Sequence, residues 1–234
     1  MSARDPLRQR LTAGLAELKL DLSASTIERL LDYVDLLARW NKAYNLTAVR
    51  EPLEMVNRHL LDSLAVAPWV SGDHLVDIGS GAGLPGIPLA LIAADTGTPN
   101  QQFVLVDSNG KKARFLRAVV RELELKHVEV AESRVESVLG QFDCVTSRAF
   151  ATLADMLGWG GHLLAPNGVW LALKGRVDSA EIDAIPAAFQ LSSVQSLKVP
   201  GLDAERHAVI ITHQATSNHP AQDGGSLASS PEQT

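Results

Sequence analysis

The stretch Asp77-Ile78-Gly79-Ser80-Gly81-Ala82-Gly83-Leu84-Pro85-Gly86 constrains this chain more than any other. Leu75, Val76 and Ile78 lead in as a strand, and the apolar run over residues 87–94 leads out as a helix. Strand, glycine turn and helix start, in that order, belong to an α/β sheet that binds ligand at its strand ends. Backbone N–H groups at a helix start favour polar or anionic ligand groups, and glycines let the backbone approach them closely. The loop is therefore expected to hold a nucleotide-like cofactor while the rest of the chain presents a substrate.

From residue 74 the pattern alternates strand and helix. Strands are expected at residues 75–78, 103–106, 127–131, 142–146 and 169–173. Helices are expected at 111–123, 135–139, 153–163 and 179–188, and Pro166-Asn167-Gly168 reads as a turn. Such alternation implies a parallel sheet with right-handed crossovers. Two last β-rich segments, 191–199 and 208–212, have no helix between them and imply an antiparallel pair at one edge.

Three amphipathic helices precede the sheet. Asp5-Pro6 reads as an N-cap followed by a first-turn proline, with Leu7, Leu11, Leu15 and Leu18 on one face. Ser25-Thr26-Ile27-Glu28 reads as a capping box. It opens a helix ending near Lys42 that carries Leu30, Leu31, Val34, Leu37 and Trp40 at helical spacing. The third helix is expected over residues 52–66, with Val56, Leu60 and Leu64 inward. The division is then an N-terminal helical extension, residues 1–70, packed on an α/β domain, residues 71–213. Residues 214–234 are rich in Ser, Gly, Pro, Asn and Gln, lack apolar surface to offset ordering, and are expected to be disordered.

Charge limits the partners. The formal net charge of −6 by itself argues against a nucleic-acid binder. The charge is uneven, however. Residues 1–70 hold nine basic and nine acidic residues, whereas the part from Ala149 holds four against eight. A nucleic-acid face must therefore be a local basic patch. Met1 to Arg10 is polar with three arginines, unlike a signal peptide, and no apolar run approaches the ~20 residues that span a bilayer. A cytoplasmic monomer away from membranes is expected. The single Cys144, in an apolar stretch, reads as a buried thiol. The seven histidines show no metal-ligand spacing, so no metal is expected.

The glycine spacing selects among ligands. Gly79, Gly81 and Gly83 give GxGxG after Asp77, whereas dinucleotide sheets use GxGxxG with an acid about 20 residues on. The next acid at a strand end is Asp107, 28 residues after Gly79. This pattern fits S-adenosylmethionine better than a nicotinamide cofactor. Asp107 can accept hydrogen bonds from both ribose hydroxyls, and Asp77 is expected near the cationic methionine part, holding its ammonium directly or through water. A glycine turn that only packs helix on strand is the structural alternative, and a nicotinamide dehydrogenase is the chemical one.

Further runs carry a resemblance. Trp40-Asn41-Lys42-Ala43-Tyr44-Asn45-Leu46-Thr47, Arg58-His59-Leu60-Leu61-Asp62-Ser63, Leu105-Val106-Asp107-Ser108 and Ser147-Arg148-Ala149-Phe150-Ala151 accompany the loop. So do Ala172-Leu173-Lys174-Gly175 and Asp203-Ala204-Glu205-Arg206-His207. Together they resemble the bacterial 16S ribosomal RNA guanine-N7 methyltransferases of the RsmG (GidB) family, from about residue 7 to 213. The resemblance implies a class I S-adenosylmethionine-dependent methyltransferase, a Rossmann-like fold of seven strands with the last antiparallel. It implies S-adenosylmethionine as cofactor and 16S ribosomal RNA or the small ribosomal subunit as partner. By position it puts Gly79 and Leu84 on the cofactor loop, Asp107 and Ser108 at the ribose, Val135 and Glu136 at the adenine, and Arg148 at a further cofactor position.

Guanine N7 has an exposed lone pair and needs no deprotonation, so no catalytic general base is expected and positioning supplies the acceleration. Candidates for RNA contact are Arg58, His59, Lys111, Lys112, Arg114, Arg148, Lys174 and Arg206, with Asn45 as a base-edge or loop-fixing residue. Each has a plainer alternative. Lys111, Lys112, Arg114 and Arg117 fit a solvated helix face, and Arg58 and Asp62 have the spacing of an i,i+4 pair. Asn45 fits a turn. His59 and His207 fit structural roles, and Trp40 with Tyr44 fits helix packing. Two other functions stay open on the residues alone: methyl transfer to another acceptor, and a non-catalytic RNA-binding assembly factor.

Overall fold

A seven-stranded sheet in the order β3-β2-β1-β4-β5-β7-β6 forms the centre of the protein in a computed structural model that describes residues 4–148 and 151–214. The strands are β1 (His74–Ile78), β2 (Gln102–Val106), β3 (Val128–Ala131), β4 (Phe142–Arg148), β5 (Leu164–Lys174), β6 (Phe189–Ser196) and β7 (His207–His213). β1 to β5 pair in parallel. β7 runs antiparallel between β5 and the edge strand β6. Strand order reverses at β1, which has β2 on one side and β4 on the other. Open α/β sheets bind ligands beyond the carboxyl ends of strands at such a reversal.

Among the described residues, seven helices flank the sheet: α1 (Asp5–Glu17), α2 (Ala24–Tyr44), α3, α4 (Gly86–Ile92), α5 (Gly110–Glu122), α6 (Leu153–Gly160) and α7 (Ser179–Asp183). α3 begins as Pro52–Met55, passes through a π-helical stretch at Val56–Leu61 and finishes at Asp62–Leu64. Strand side chains alternate between two buried layers, as a period of two requires. Val76, Ile78, Trp170 and Ala172 join Leu153 and Leu157 of α6 on one face. Leu75, Leu171 and Leu173 join α4 and α5 on the other. Leu11, Leu30, Leu37 and Leu60 belong to that second cluster, so α1 to α3 share one core with the sheet. Among the described residues, no helix is long and apolar enough to cross a membrane, and no group of three His, Cys, Asp or Glu could hold a metal ion.

Several local expectations differ from the fold. The N-cap of α2 is Ser23, whose hydroxyl accepts from the Thr26 N–H at 3.2 Å. Glu28, expected in the capping box, instead pairs with Arg8 at 2.6 Å. α2 runs past Lys42 to Tyr44 and ends on Asn45 in the left-handed conformation, φ 49° and ψ 52°. Arg4 is the residue before α1, so Asp5 is the first helical residue and not the cap. Pro166-Asn167-Gly168 does not end an element. It lies inside β5, where the register against β4 shifts between Phe142 and Cys144. α7 stops at Asp183, five residues short of expectation. Cys144 is fully buried, and burial pushes its thiol up to about 12. The expected disordered tail lies outside the described residues except Gln214, whose N–H donates to the Ala188 carbonyl at 2.8 Å. Ala149 and Phe150 of the Ser147–Ala151 run also lie outside them.

Candidate active site

The glycine loop is built from backbone conformations that favour glycine. Gly79, Gly81 and Gly83 have φ of 65°, 59° and 88°. The loop amides turn inward: Ser80 N–H donates to the Val106 carbonyl at 2.9 Å, and Gly83 and Leu84 donate to the Ser80 carbonyl. Gly81 N–H donates to the Asp107 carboxylate at 2.9 Å. Several of the amides expected to face a ligand thus hold the loop itself, and only Gly79 and Gly81 among residues 79–86 are partly exposed. From α2, the Tyr33 hydroxyl donates to the Ala82 carbonyl at 2.6 Å.

Two clefts open on either side of this loop. The first, of about 480 Å³, is walled by Gly79, Asp107, Ser108, Asn109, Ser133, Arg134, Val135, Glu136 and Trp159. That volume lies in the range of small-molecule and cofactor sites. The second, of about 520 Å³, is walled by Leu46, Thr47, Arg58, His59, Asp62, Leu84, Arg148, Leu173, Lys174 and Arg206 among others. Both share Gly79 and Lys112.

Asp107 anchors the first cleft. Its second carboxylate oxygen accepts from the Asn109 N–H at 2.8 Å, and the Lys112 ammonium lies 3.7 Å away. Each carboxylate oxygen has lone pairs left for a further donor. Val135 supplies an apolar wall and Trp159 an indole that is 39% exposed. A nucleoside fits this donor set: an acid for ribose hydroxyls, apolar and aromatic surface for a base.

Asp77 is buried. β1 alternation turns it to the same face as Leu75, beneath the loop, and it walls neither cleft. Its carboxylate accepts from the Gly86 N–H at 3.1 Å and the Thr146 hydroxyl at 3.1 Å. Burial raises its pKa to about 6, against the lowering effect of those bonds. It braces the loop from beneath. Gly83 has a packing role. A Cβ there would lie 2.6 Å from Ile87 Cγ1 and 3.0 Å from Leu116 Cδ2, so this glycine allows loop and helix to pack.

In the second cleft Asp62 is the organising acid. It accepts from Arg148 at 3.0 Å through one oxygen and from Arg206 at 2.9 Å through the other. Arg148 also donates to the Arg58 carbonyl at 3.2 Å. The anticipated Arg58–Asp62 pair does not form. Arg58 pairs with Glu54 at 3.2 Å, because Asp62 turns inward after the π-helical stretch and is already occupied. Arg148 walls the second cleft and not the first. Lys174 lies on Glu181 and donates to the Ala151 carbonyl at 2.9 Å.

His59 is buried and structural. The Arg58 carbonyl can only accept, so Nδ1 carries the proton, and Nε2 accepts from the Thr47 hydroxyl at 2.9 Å. Burial pushes its pKa down to about 4. His207 donates from Nδ1 to the Gly175 carbonyl at 2.6 Å. Asn45 caps α2, and its side-chain oxygen accepts from Arg50. Lys111 and Arg114 wall neither cleft. Trp40 stacks on Tyr44 at 5.2 Å. Trp159, Arg134, Ser133 and Asn109 went unread in the sequence. Only Asn109 had a signal there: an Asn before Gly-Lys-Lys can cap a helix, and its side chain accepts from the Lys111 N–H at 3.0 Å.

Strand order, glycine loop and acid at the end of β2 together define the Rossmann-like fold of S-adenosylmethionine-dependent methyltransferases. Solved structures of that fold superpose on the chain. Magnesium protoporphyrin IX methyltransferase from Synechocystis PCC 6803, solved with bound SAM, gives a TM-score of 0.54 at 16% identity, covering 82% of this chain and 98% of that one. TrmN from Thermus thermophilus gives 0.51 at 16%, covering 74% and 53%. The family model for rRNA small subunit methyltransferase G matches residues 26–210. The chain is 52% identical over 204 residues to the ribosomal RNA small subunit methyltransferase G of Stenotrophomonas maltophilia, 86% of this chain and 93% of that one. It is 50% identical over 204 residues to the protein of that name from Marinobacter nauticus, with the same coverage. The chain belongs to the rRNA small subunit methyltransferase G family.

Proposed function

We propose that this chain transfers a methyl group from S-adenosylmethionine to N7 of a guanine in 16S ribosomal RNA of the small ribosomal subunit. One observation carries the reading: a cleft of nucleoside size ending on Asp107 shares Gly79 and Lys112 with a second, basic cleft. In the second wall Arg58, Lys112, Arg148, Lys174 and Arg206 stand against Asp62. A cofactor and a polyanion can therefore meet at the loop.

S-adenosylmethionine, when bound, supplies an electrophilic methyl group on a sulfonium. The chain supplies placement. Asp107 takes the ribose hydroxyls, with Ser108 beside it. Val135, Glu136 and Trp159 hold the adenine. Gly79 walls both clefts and Leu84 walls the second. Arg148 and Arg206, splayed by Asp62, hold RNA phosphates around the target base, and Lys174 adds charge from the strand end. Phosphate contacts of this kind fix register and orientation. No side chain is asked to take a proton, because the N7 lone pair is free. Holding it in line with the transferred carbon converts a bimolecular encounter into an oriented one. The enzyme works in this reading as a cytoplasmic monomer, with its N-terminal helices closing one side of the RNA cleft.

Incubation with labelled S-adenosylmethionine and, separately, small subunits, protein-free small-subunit rRNA and total protein tests the reading. Label is expected in the RNA of one or both of the first two. Label confined to protein or small metabolites would overturn it.

A further inference from the structure

The helix after Asp107 carries positive charge beyond the needs of the two clefts. α5 holds Lys111, Lys112, Arg114, Arg117 and Arg121 with one acid, Glu122, in a chain of net charge −6. Phe115, Leu116 and Val119 bury the apolar side of the helix, which forces the basic side outward. Arg114, Arg117 and Arg121 join Trp40 of α2 and Glu132 beyond β3 to wall a groove of about 430 Å³. Arg114 and Arg121 lie seven residues apart, about 10 Å along the helix axis.

The neighbouring acids do not balance this row. Glu132 is taken by Arg117 at 2.8 Å, and Glu122 by Arg39 at 2.9 Å. Arg114 and Arg121 are exposed and make no ion pair among the described residues. Like charges along one helix face repel. Arg114 and Arg121 are left open to an anion from outside the chain. The groove also has an aromatic wall: Trp40 leans on Phe115 at 5.7 Å and stacks on Tyr44. It adjoins the first cleft along the chain: Gly110 and Glu132 wall the groove, and their neighbours Asn109 and Ser133 wall the cleft.

We propose that this groove is a second RNA contact, taking the phosphate backbone of the strand that runs on from the target nucleotide, with Arg114 and Arg121 as its two phosphate ligands. The proposal rests on RNA being the substrate. It adds a docking arm to the catalytic cleft, one that anchors substrate without reading sequence.

Fluorescence anisotropy with protein-free small-subunit rRNA over a series of salt concentrations tests this, using the wild-type chain, the double variant Arg114→Gln/Arg121→Gln, and Lys19→Gln as a basic control outside groove and clefts. Each phosphate contact contributes about 0.7–0.9 to the slope of log affinity against log salt. The double variant is expected to bind more weakly at low salt, with a slope shallower by about 1.4–1.8. Its S-adenosylmethionine affinity stays at the wild-type value, and Lys19→Gln keeps the wild-type slope. Wild-type affinity and slope in the double variant would overturn the docking arm, as would weakened binding with an unchanged slope. Failure of the wild-type chain itself to bind the RNA would instead overturn the substrate reading, and the docking arm with it.

Discussion

The Gly81 N–H donates to the Asp107 carboxylate across 2.9 Å, joining the end of β2 to the loop after β1. The same side chain accepts from Asn109, so one acid sets two loops and faces the first cleft. Hydrogen bonds to a charged group are worth about 1.5–3 kcal/mol, and about 1.4 kcal/mol is tenfold in affinity. Asp107→Ala is therefore expected to weaken S-adenosylmethionine binding by roughly 10–100-fold, with Asp107→Asn between it and wild type. Calorimetry reads this directly; wild-type affinity in Asp107→Ala would remove the ribose role.

Asp77 and His59 shape the pH dependence of stability in opposite directions. Asp77 titrates at about 6 when folded, above the ordinary 3.8 of an aspartate, so it holds its proton more tightly in the folded state. Its contribution is fully present below about pH 4 and is lost as pH rises through about 6. His59 titrates at about 4 when folded, below 6.5. Its contribution is present above about 6.5 and is lost as pH falls through about 4. Each is worth on the order of 3 kcal/mol when fully developed, so the two oppose each other between pH 4 and 6. Relative to wild type, Asp77→Asn is expected to gain stability as pH rises through that window, and His59→Gln to lose it. Melting temperatures from pH 4 to 7 check both signs, and two parallel differences would contradict the assignment.

Gly83 and Gly81 separate packing from backbone strain. Gly83→Ala meets Ile87 and Leu116 at a φ of 88°. Overpacking and left-handed strain each cost about 1–3 kcal/mol, which together lower the melting temperature of a chain of this size by roughly 4–24 °C. At Gly81 a Cβ would have its nearest protein atom at 3.7 Å, so only the strain at φ 59° remains. Gly81→Ala is expected to melt higher than Gly83→Ala. The reverse order in a thermal scan would show that packing against α4 and α5 is not what Gly83 provides.

How much of this was legible follows from the range of each interaction. The glycine turn and Asp107 could be read because both are set by backbone conformation and strand ends, which spacing reports. The burial of Asp77 was not legible even though its partners are near. A period of two through Leu75 and Asp77 already put it on the α4 face, but nothing in the sequence marked that face as closed above it. The partners of Asp62 were out of reach, since Arg148 and Arg206 lie 86 and 144 residues away while spacing alone suggested Arg58. The π-helical stretch that turns Asp62 inward has no sequence signature. Trp159 was hidden because α6 is apolar almost all round, with Leu153, Met156 and Leu157 buried and Trp159 left at the cleft.

Asp62 should matter for RNA more than for cofactor. Removing one partner of a buried ion pair costs about 3–5 kcal/mol, but the Arg148 and Arg206 side chains are 20% and 29% exposed, so water takes up part of the loss. Asp62→Ala is expected to cost about 1–3 kcal/mol of stability and to raise KM for RNA while S-adenosylmethionine affinity holds. Thermal scans and steady-state kinetics measure the two effects; an unchanged KM for RNA would show that the arginines keep their placement without it.

The most direct test of the account is the position of the transferred methyl group. The purified chain, S-adenosylmethionine and small subunits or their RNA are incubated together, and the product RNA is mapped for 7-methylguanine at single-nucleotide resolution. A single guanine of 16S rRNA modified at N7 is the predicted result. Methylation at another atom, at many unrelated guanines, or in no RNA at all would contradict the account.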